Sequence, residues 1–380
     1  MSEFEPFRTP GQLILSLMEE RGWTRRTLGV VLDLSDATIT RITSDKQPID
    51  ARLAIALEEL FGVPAHRFLS LQKELDLAQA RIVVQPDPTR AARALLFGDL
   101  PVSEMMERGW LKAENLRDKT AIERELMRFF GVNRLEDIKI TSHGARKTDA
   151  ESATTPAQIA WLRRVQAIAE NMIVPKYSKD KLRSCLSTLK SGMISAEGSN
   201  KVSRILSECG VRFLIVETLK SAKIDGVCLW LDASSPVIAL TTRYDRIDNF
   251  WFVLRHEIEH VLQCHGMDGA AIDADLEGEK AGTGHSIPDE ERIANMAASE
   301  FCVPGAKMDA FIARKSPLFT EADLRGFSKI VGVHPGIVAG QLQHKTNRFH
   351  IFRQHLVKVR ANVLPSAMVD GWGTVSPLGN

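Results

Sequence analysis

The chain has 380 residues, and its 49 Lys and Arg nearly cancel its 48 Asp and Glu, leaving a net charge of +1. Hydrophobic residues make up 44% and charged residues 26%, the make-up of a soluble globular protein, which excludes a low-complexity or intrinsically disordered chain. No apolar run approaches the ~18 residues that a bilayer crossing needs, and without a global basic field any attraction to nucleic acid must come from a local patch. A chain of this length is expected to form two or three domains.

The first elements are short helices. Pro10 to Arg21 carries Leu13, Ile14, Leu17 and Met18 as one apolar stripe, at helical spacing. Thr24 suits the cap of a second helix holding Leu28 and Val31. After the turn Leu32-Asp-Leu34, Ser35 suits the cap of a third, Asp36 to Ile42. In that third helix the spacing buries Ile39 and Ile42 and turns Asp36, Thr38, Thr40 and Arg41 outward. Two more apolar-periodic segments follow, Leu53–Leu60 and Phe68–Ile82. Five short helices with a tight turn between the second and third match the helix-turn-helix plan. The third helix would enter the major groove of double-stranded DNA, with Arg25, Arg26 and Lys46 near phosphates. A generic helical bundle would show the same apolar periodicity.

This stretch resembles the XRE helix-turn-helix domain, and within it the HigA-type antitoxins. The resemblance rests on Pro10-Gly11, Thr24 to Ile42, Lys46 to Ile49, Ala54 to Gly62 and Leu69-Ser-Leu71-Gln72. It implies a dimeric operator-binding autorepressor from a bacterium or phage. Family members commonly open the second helix with a DNA-contacting Gln, where this chain has Arg25. Arg can bind phosphate or guanine, so the bound sequence is expected to differ.

Residues 71–83 read as an extended helix, suited to pairing two chains or to packing on its own domain, and Gln85-Pro-Asp-Pro88 ends it. Patterning is helical from Thr89 to Lys139. Thr141 to Gln158 is polar and rich in small residues, as a linker is. Helices follow from Ile159 to about Cys209, and then three strand-like runs, Val211–Glu217, Val227–Leu231 and Val237–Thr241.

The strongest chemical signal comes next, in Phe252-Val-Leu-Arg-His256-Glu257-Ile-Glu-His260-Val-Leu-Gln-Cys264. Four-residue spacing on a helix stacks both imidazoles on one face, where they can grip one tetrahedral Zn2+. Glu257 then stands close enough to act as general base on a water at the metal. Trp251, Leu254, Ile258, Val261 and Leu262 give that helix a buried side. Downstream, Pro288-Asp289 suits another helix start, and Glu291, Ala294, Asn295 and Ala298 share one face. The alanines would let this helix approach the first, so that Glu291 completes a set of two His, one Glu and an open position. A solvated acid stabilising a helix N-terminus is the plainer reading of Glu291.

Together these two segments resemble the ImmA/IrrE family of zinc metallopeptidase-like proteins. The match is His256-Glu257-Ile-Glu-His260 followed by Glu291-Arg-Ile-Ala294-Asn295-Met-Ala-Ala298 through to Pro304. Arg243 to Phe252 and Gly336 to Gln343 also look like the family, which covers roughly residues 155–350. The resemblance implies His256, His260 and Glu291 as ligands and Glu257 as base. Glu259, where the family often has a small residue, and Ala297, where an aromatic is common, put the shape of the cleft in question.

Several features stay open. His265 falls too far round the helix to share the His256 face; Tyr244 and His265 are candidates for oxyanion support. Glu277, Glu279 and His285 lie in the Gly-rich stretch 266–288, which reads as an ordinary long connection or as a lid over the site. Residues 327–342 echo a helix-turn-helix, though they suit the closing helices of the second domain as well. The tail reads as disordered, or as a docking peptide through Trp372. Five scattered cysteines without zinc-ribbon spacing, and no apolar signal segment, imply a reduced cytoplasmic protein. Of these, Cys264 reads as a buried small hydrophobe or a redox sensor.

The expected architecture is mainly α (α+β). A five-helix helix-turn-helix domain (1–83) precedes a helical connector and linker (84–158), a zincin-like domain with a small sheet and the His-Glu-x-x-His helix (159–350), and a tail (351–380). Two function classes follow. One is a DNA-binding antitoxin-type regulator whose zinc peptidase cleaves a repressor, a toxin or itself. The other is a non-catalytic antitoxin or sensor whose peptidase-like domain only binds zinc and a toxin or ligand.

Overall fold

Thr9, Thr24, Ser35 and Asp50 each accept, on a side-chain oxygen, the backbone N–H three residues ahead. Each such cap contributes ~1 kcal/mol to its helix. They start α1 (Pro10–Glu20), α2 (Arg25–Leu32), α3 (Asp36–Thr43) and α4 (Ala51–Phe61), and α5 (Ala65–Val83) follows. Ile14, Leu28, Ile39, Leu57 and Phe68 form their common core. Asp33 ends α2 in the left-handed region (φ 53°), and the Leu34 N–H returns to Gly29 O at 2.8 Å. A Cβ at position 29 would press on Leu34 O at 2.8 Å, so this turn needs glycine. On α2, Leu28 is buried and Leu32 packs against the same core, while Val31 is 47% exposed.

The structure, a computed structural model, describes residues 7–83, 90–138, 146–147, 154–267, 271–273, 288–371 and 374–377. The chain divides into two units, Met1–Pro88 and Thr89–Asn380. No helix among the described residues is long and apolar enough to cross a membrane. The molecule is mainly helical, with one mixed sheet.

Residues 90–138 are not a connector. They form α6 (Arg90–Asp99), α7 (Val102–Glu107) and α8 (Lys119–Phe130). Leu96, Trp110, Ile122 and Leu126 share one core with Trp161 and Val165 of α9 (Pro156–Glu170). An apolar stripe this long has to be covered, and the sheet and α9 cover it. Thr155 and Gln158 make a capping box at the start of α9, so the helix begins inside the expected linker. Most of that linker lies outside the described residues.

The sheet runs β1-β5-β3-β4-β2-β6-β7. Its strands are β1 (Arg146–Lys147), β2 (Arg212–Ile215), β3 (Gly226–Trp230), β4 (Pro236–Leu240), β5 (Ala271–Asp273), β6 (Met368–Gly371) and β7 (Thr374–Pro377). β3 and β4 pair antiparallel, and β2 lies parallel to both β4 and β6. Successive side chains alternate between two buried faces. Leu214, Val227, Leu229, Val237 and Ala239 face the α6–α9 layer. Phe213, Ile215, Cys228, Ile238 and Leu240 face the opposite core.

That second core is built from α10 (Lys179–Gly192), α11 (Val202–Glu208), α12 (Ile247–Gln263), α13 (Asp289–Cys302), α14 (Gly305–Lys315), α15 (Glu321–Val331), α16 (Pro335–Thr346) and α17 (Arg360–Val363). Residues 351–371 are no loose tail, because Val359, Val363, Ala367 and Val369 are buried there. Asp370 also receives Trp110 Nε1 at 2.6 Å and Arg164 Nη2 at 2.7 Å. Trp372 is outside the described residues. Ile337, Val338, Ala339 and Leu342 of α16 are buried, so the second helix-turn-helix echo is a structural part of this unit.

Candidate metal centre and nucleic-acid interface

On the first unit, α3 buries Ile39, Ile42 and Thr43 and leaves Asp36, Thr40 and Arg41 exposed. Arg25 and Arg26, in the first turn of α2, are exposed as well, as is Lys46 just beyond α3. Thr38 is half-buried, and its hydroxyl exchanges a hydrogen bond with Ser35 at 2.9 Å. The Thr40 hydroxyl donates to Asp36 O at 2.8 Å. Both threonine hydroxyls are thus engaged locally, whereas the charged side chains reach solvent. Of the charged residues in the expected contact set, the exposed ones are four cations and one acid, a balance of the sign that phosphates attract.

In the second unit α13 packs along α12, with Ala294 and Ala298 fully buried where they meet. Small side chains there bring the two backbones close enough for a carboxylate on one to reach imidazoles on the other. His256 Nε2 and His260 Nε2 face each other at 2.9 Å. Glu291 Oε2 lies 3.2 Å from the first, and Oε1 lies 3.4 Å from the second. One donor atom from each residue falls within 4.8 Å of the other two. Both imidazoles are fully buried and Glu291 nearly so. The plainer reading of Glu291 as a solvated acid is thereby corrected.

The outer nitrogens are also fixed. His256 Nδ1 meets Asn295 Oδ1 at 3.1 Å, and His260 Nδ1 meets His265 Nδ1 at 2.9 Å. An amide oxygen can only accept, so this contact suits the His256 tautomer with its proton on Nδ1, which leaves the Nε2 lone pair to serve as a donor toward a cation shared with His260 and Glu291. Two imidazole lone pairs and a carboxylate converging in a buried space suit a divalent cation, and N and O donors in this number suit zinc.

His265 is not on the ligand face, as expected, but it orients His260, because Cys264 ends α12 in the left-handed region and swings the next residue back. Burial, reinforced by the neighbouring His260, holds its imidazole below the ordinary value. Asn295 stands one turn after Glu291 on the same face; that spacing was the available signal for its role.

Glu257 is fully buried and points at β3: a Cβ at Gly226 would fall on its Oε1, and would crowd Val253 Cγ1 at 2.8 Å. Gly226 is therefore what lets the strand pass beside this carboxylate. Glu259 turns away from the ligands to accept from Arg255 Nη2 at 2.7 Å and Gln263 Nε2 at 2.7 Å. Burial opposes its charge, but those hydrogen bonds prevail and hold its carboxyl below the usual value. Tyr244 lines a small cavity with Asp225, Asn249 and Val253, and Arg243 lies over its ring. Cys264 is exposed, not a buried hydrophobe. Glu277, Glu279 and His285 lie outside the described residues.

Residues 14–68 match the helix-turn-helix family model. No curated protein matches the chain. The matched stretch runs from α1 into α5, so the first unit is a helix-turn-helix domain of the XRE type, the fold of DNA-binding transcriptional regulators.

Proposed function

We propose that this helix-turn-helix regulator is an antitoxin-type autorepressor whose second unit is a zinc metallopeptidase of the ImmA/IrrE kind, acting on a toxin, a repressor or the chain itself. The observation that carries the reading is the buried convergence of His256, His260 and Glu291 with Glu257 on the same helix. Zinc, when bound, polarises a carbonyl and makes water more acidic. Glu257 takes the proton from the attacking water on a carboxylate oxygen and passes it to the departing amide nitrogen. Asn295 and His265 hold the imidazoles in register. The experiment is elemental analysis of the full chain after zinc repletion: about one zinc per chain is expected, and protein that emerges metal-free sinks the reading.

A second reading, a non-catalytic sensor or toxin-binding module, is favoured by one observation: Glu257 and both imidazoles have no solvent-exposed surface.

For the first unit the reading is operator binding as a homodimer, with half-sites about one helical turn apart. Arg41→Ala is expected to lose roughly 1–3 kcal/mol at one base position and to relax specificity there. Lys46→Ala is expected to weaken all sequences alike and to reduce the salt dependence by about one unit. A gel-shift series in which neither change alters binding would refute the assignment of α3 as the reading helix.

A further inference from the structure

Beyond α10 the chain forms a 3-10 segment, Ala196–Lys201, that leads into α11. A cavity of about 280 Å³ opens between these three elements. Its apolar lining is Leu189, Ile205 and Trp251, all buried. Trp251 belongs to α12, the helix that carries His256 and His260, but neither imidazole lines the cavity. Two glycines keep the space open. A Cβ at Gly192 would reach Trp251 Cη2 at 3.4 Å, and one at Gly198 would overlap the Gly192 carbonyl. The polar part of the lining carries opposite charges, Glu197 and Lys201, both exposed. A 3-10 turn takes three residues, so side chains four apart are offset by about a third of a turn and do not stack as a pair. The Ser195 hydroxyl donates to Glu197 and holds its carboxyl below the ordinary value, so it is an anion at neutral pH.

We propose that this cavity binds a free α-amino acid with an apolar side chain. Its carboxylate meets Lys201, its ammonium meets Glu197, and its side chain lies against Leu189, Ile205 and Trp251. Three observations select that class. An apolar lining with a few polar groups is the make-up of a small-molecule site. The volume falls just short of the ~300–1,000 Å³ that drug-sized ligands occupy, so the occupant is small. Charges of both signs on one lining match a zwitterion. A simple carboxylic acid would set its carboxylate against Glu197, and a simple amine its ammonium against Lys201, each a like-charge contact that costs affinity. The site is separate from the metal centre, and it stands whether or not the peptidase reading does. Through Trp251 it gives α12 a contact with a metabolite.

The test is isothermal titration of the full chain with L-leucine, with 4-methylpentanoate, which lacks the ammonium, and with L-leucinamide, which lacks the carboxylate. L-leucine is expected to bind saturably, and each truncated probe at least about tenfold more weakly, the usual value of a hydrogen bond to a charged group. Lys201→Gln should weaken L-leucine by a similar factor but not L-leucinamide. Glu197→Gln should weaken L-leucine but not 4-methylpentanoate. Both positions are exposed, so neither change disturbs the core. Hydrogen exchange on the unmodified chain locates the site: L-leucine should protect amides of 188–201 and leave those of residues 14–68 as they were. No saturable heat with L-leucine, equal binding of all three probes, or L-leucine binding that neither variant weakens overturns the proposal. Zinc plays no part in these measurements, so failure here leaves the metal reading standing.

Discussion

Glu257→Gln is expected to bind zinc and operator DNA normally and to lose ~10²–10⁴-fold in peptide cleavage, the usual contribution of a positioned general base. The amide keeps the size of the carboxylate, so Gly226 still passes beside it, and neither imidazole is touched. Operator binding is spared because the helix-turn-helix residues 14–68 belong to the other unit. The informative readout is therefore induction of the operon under stress. The variant strain should repress but fail to induce, and the cleaved fragment expected in the parent strain should be missing. Truncation after Gln85 should abolish toxin neutralisation while sparing some DNA binding. Normal induction in the Glu257→Gln strain, with no cleaved fragment in either strain, retires the peptidase and leaves the binding module.

The cluster of His256, His260 and Glu291 was legible because it depends on local geometry. Four-residue spacing on a helix places His256 and His260 together whatever surrounds them. Glu291 was legible one step less directly, through a Pro-led helix start with alanines on the same face. The role of Asn295 was not, although its position was: which nitrogen it holds depends on how α12 and α13 cross. The helix-turn-helix was legible from its caps, since Thr24 and Ser35 announce the second and third starts. What escaped the sequence most completely was non-local pairing. β5, β6 and β7 have three or four residues each, too few for a period-two pattern to register, and they exist because β3, β2 and β6 in turn offer edges. Residues 90–138 showed their apolar stripes plainly, but a stripe does not name its partner, and that partner proved to be α9 and the sheet.

Graded loss of metal across the centre is the second large effect. His260→Ala and Glu291→Ala should emerge from zinc repletion without stoichiometric metal, since each removes one of three protein ligands of a four-coordinate ion. Asn295→Ala and His265→Ala should retain one zinc at saturation but bind it ~10–100-fold more weakly, the usual cost of losing a group that orients a ligating imidazole. The difference has a structural origin. Without Asn295 the His256 ring still reaches Glu291, but nothing fixes its proton on Nδ1, so the Nε2 lone pair is available only part of the time. Competition with a chromogenic chelator separates the two classes, because ligand variants lose stoichiometry whereas orienting variants lose affinity alone. Glu291→Ala with unchanged affinity would remove it from the set and move attention to Glu290, which is half-buried beside it. Asn295→Ala indistinguishable from the unmodified chain would mean that packing between α12 and α13, through Ala294 and Ala298, already holds the His256 ring where zinc needs it.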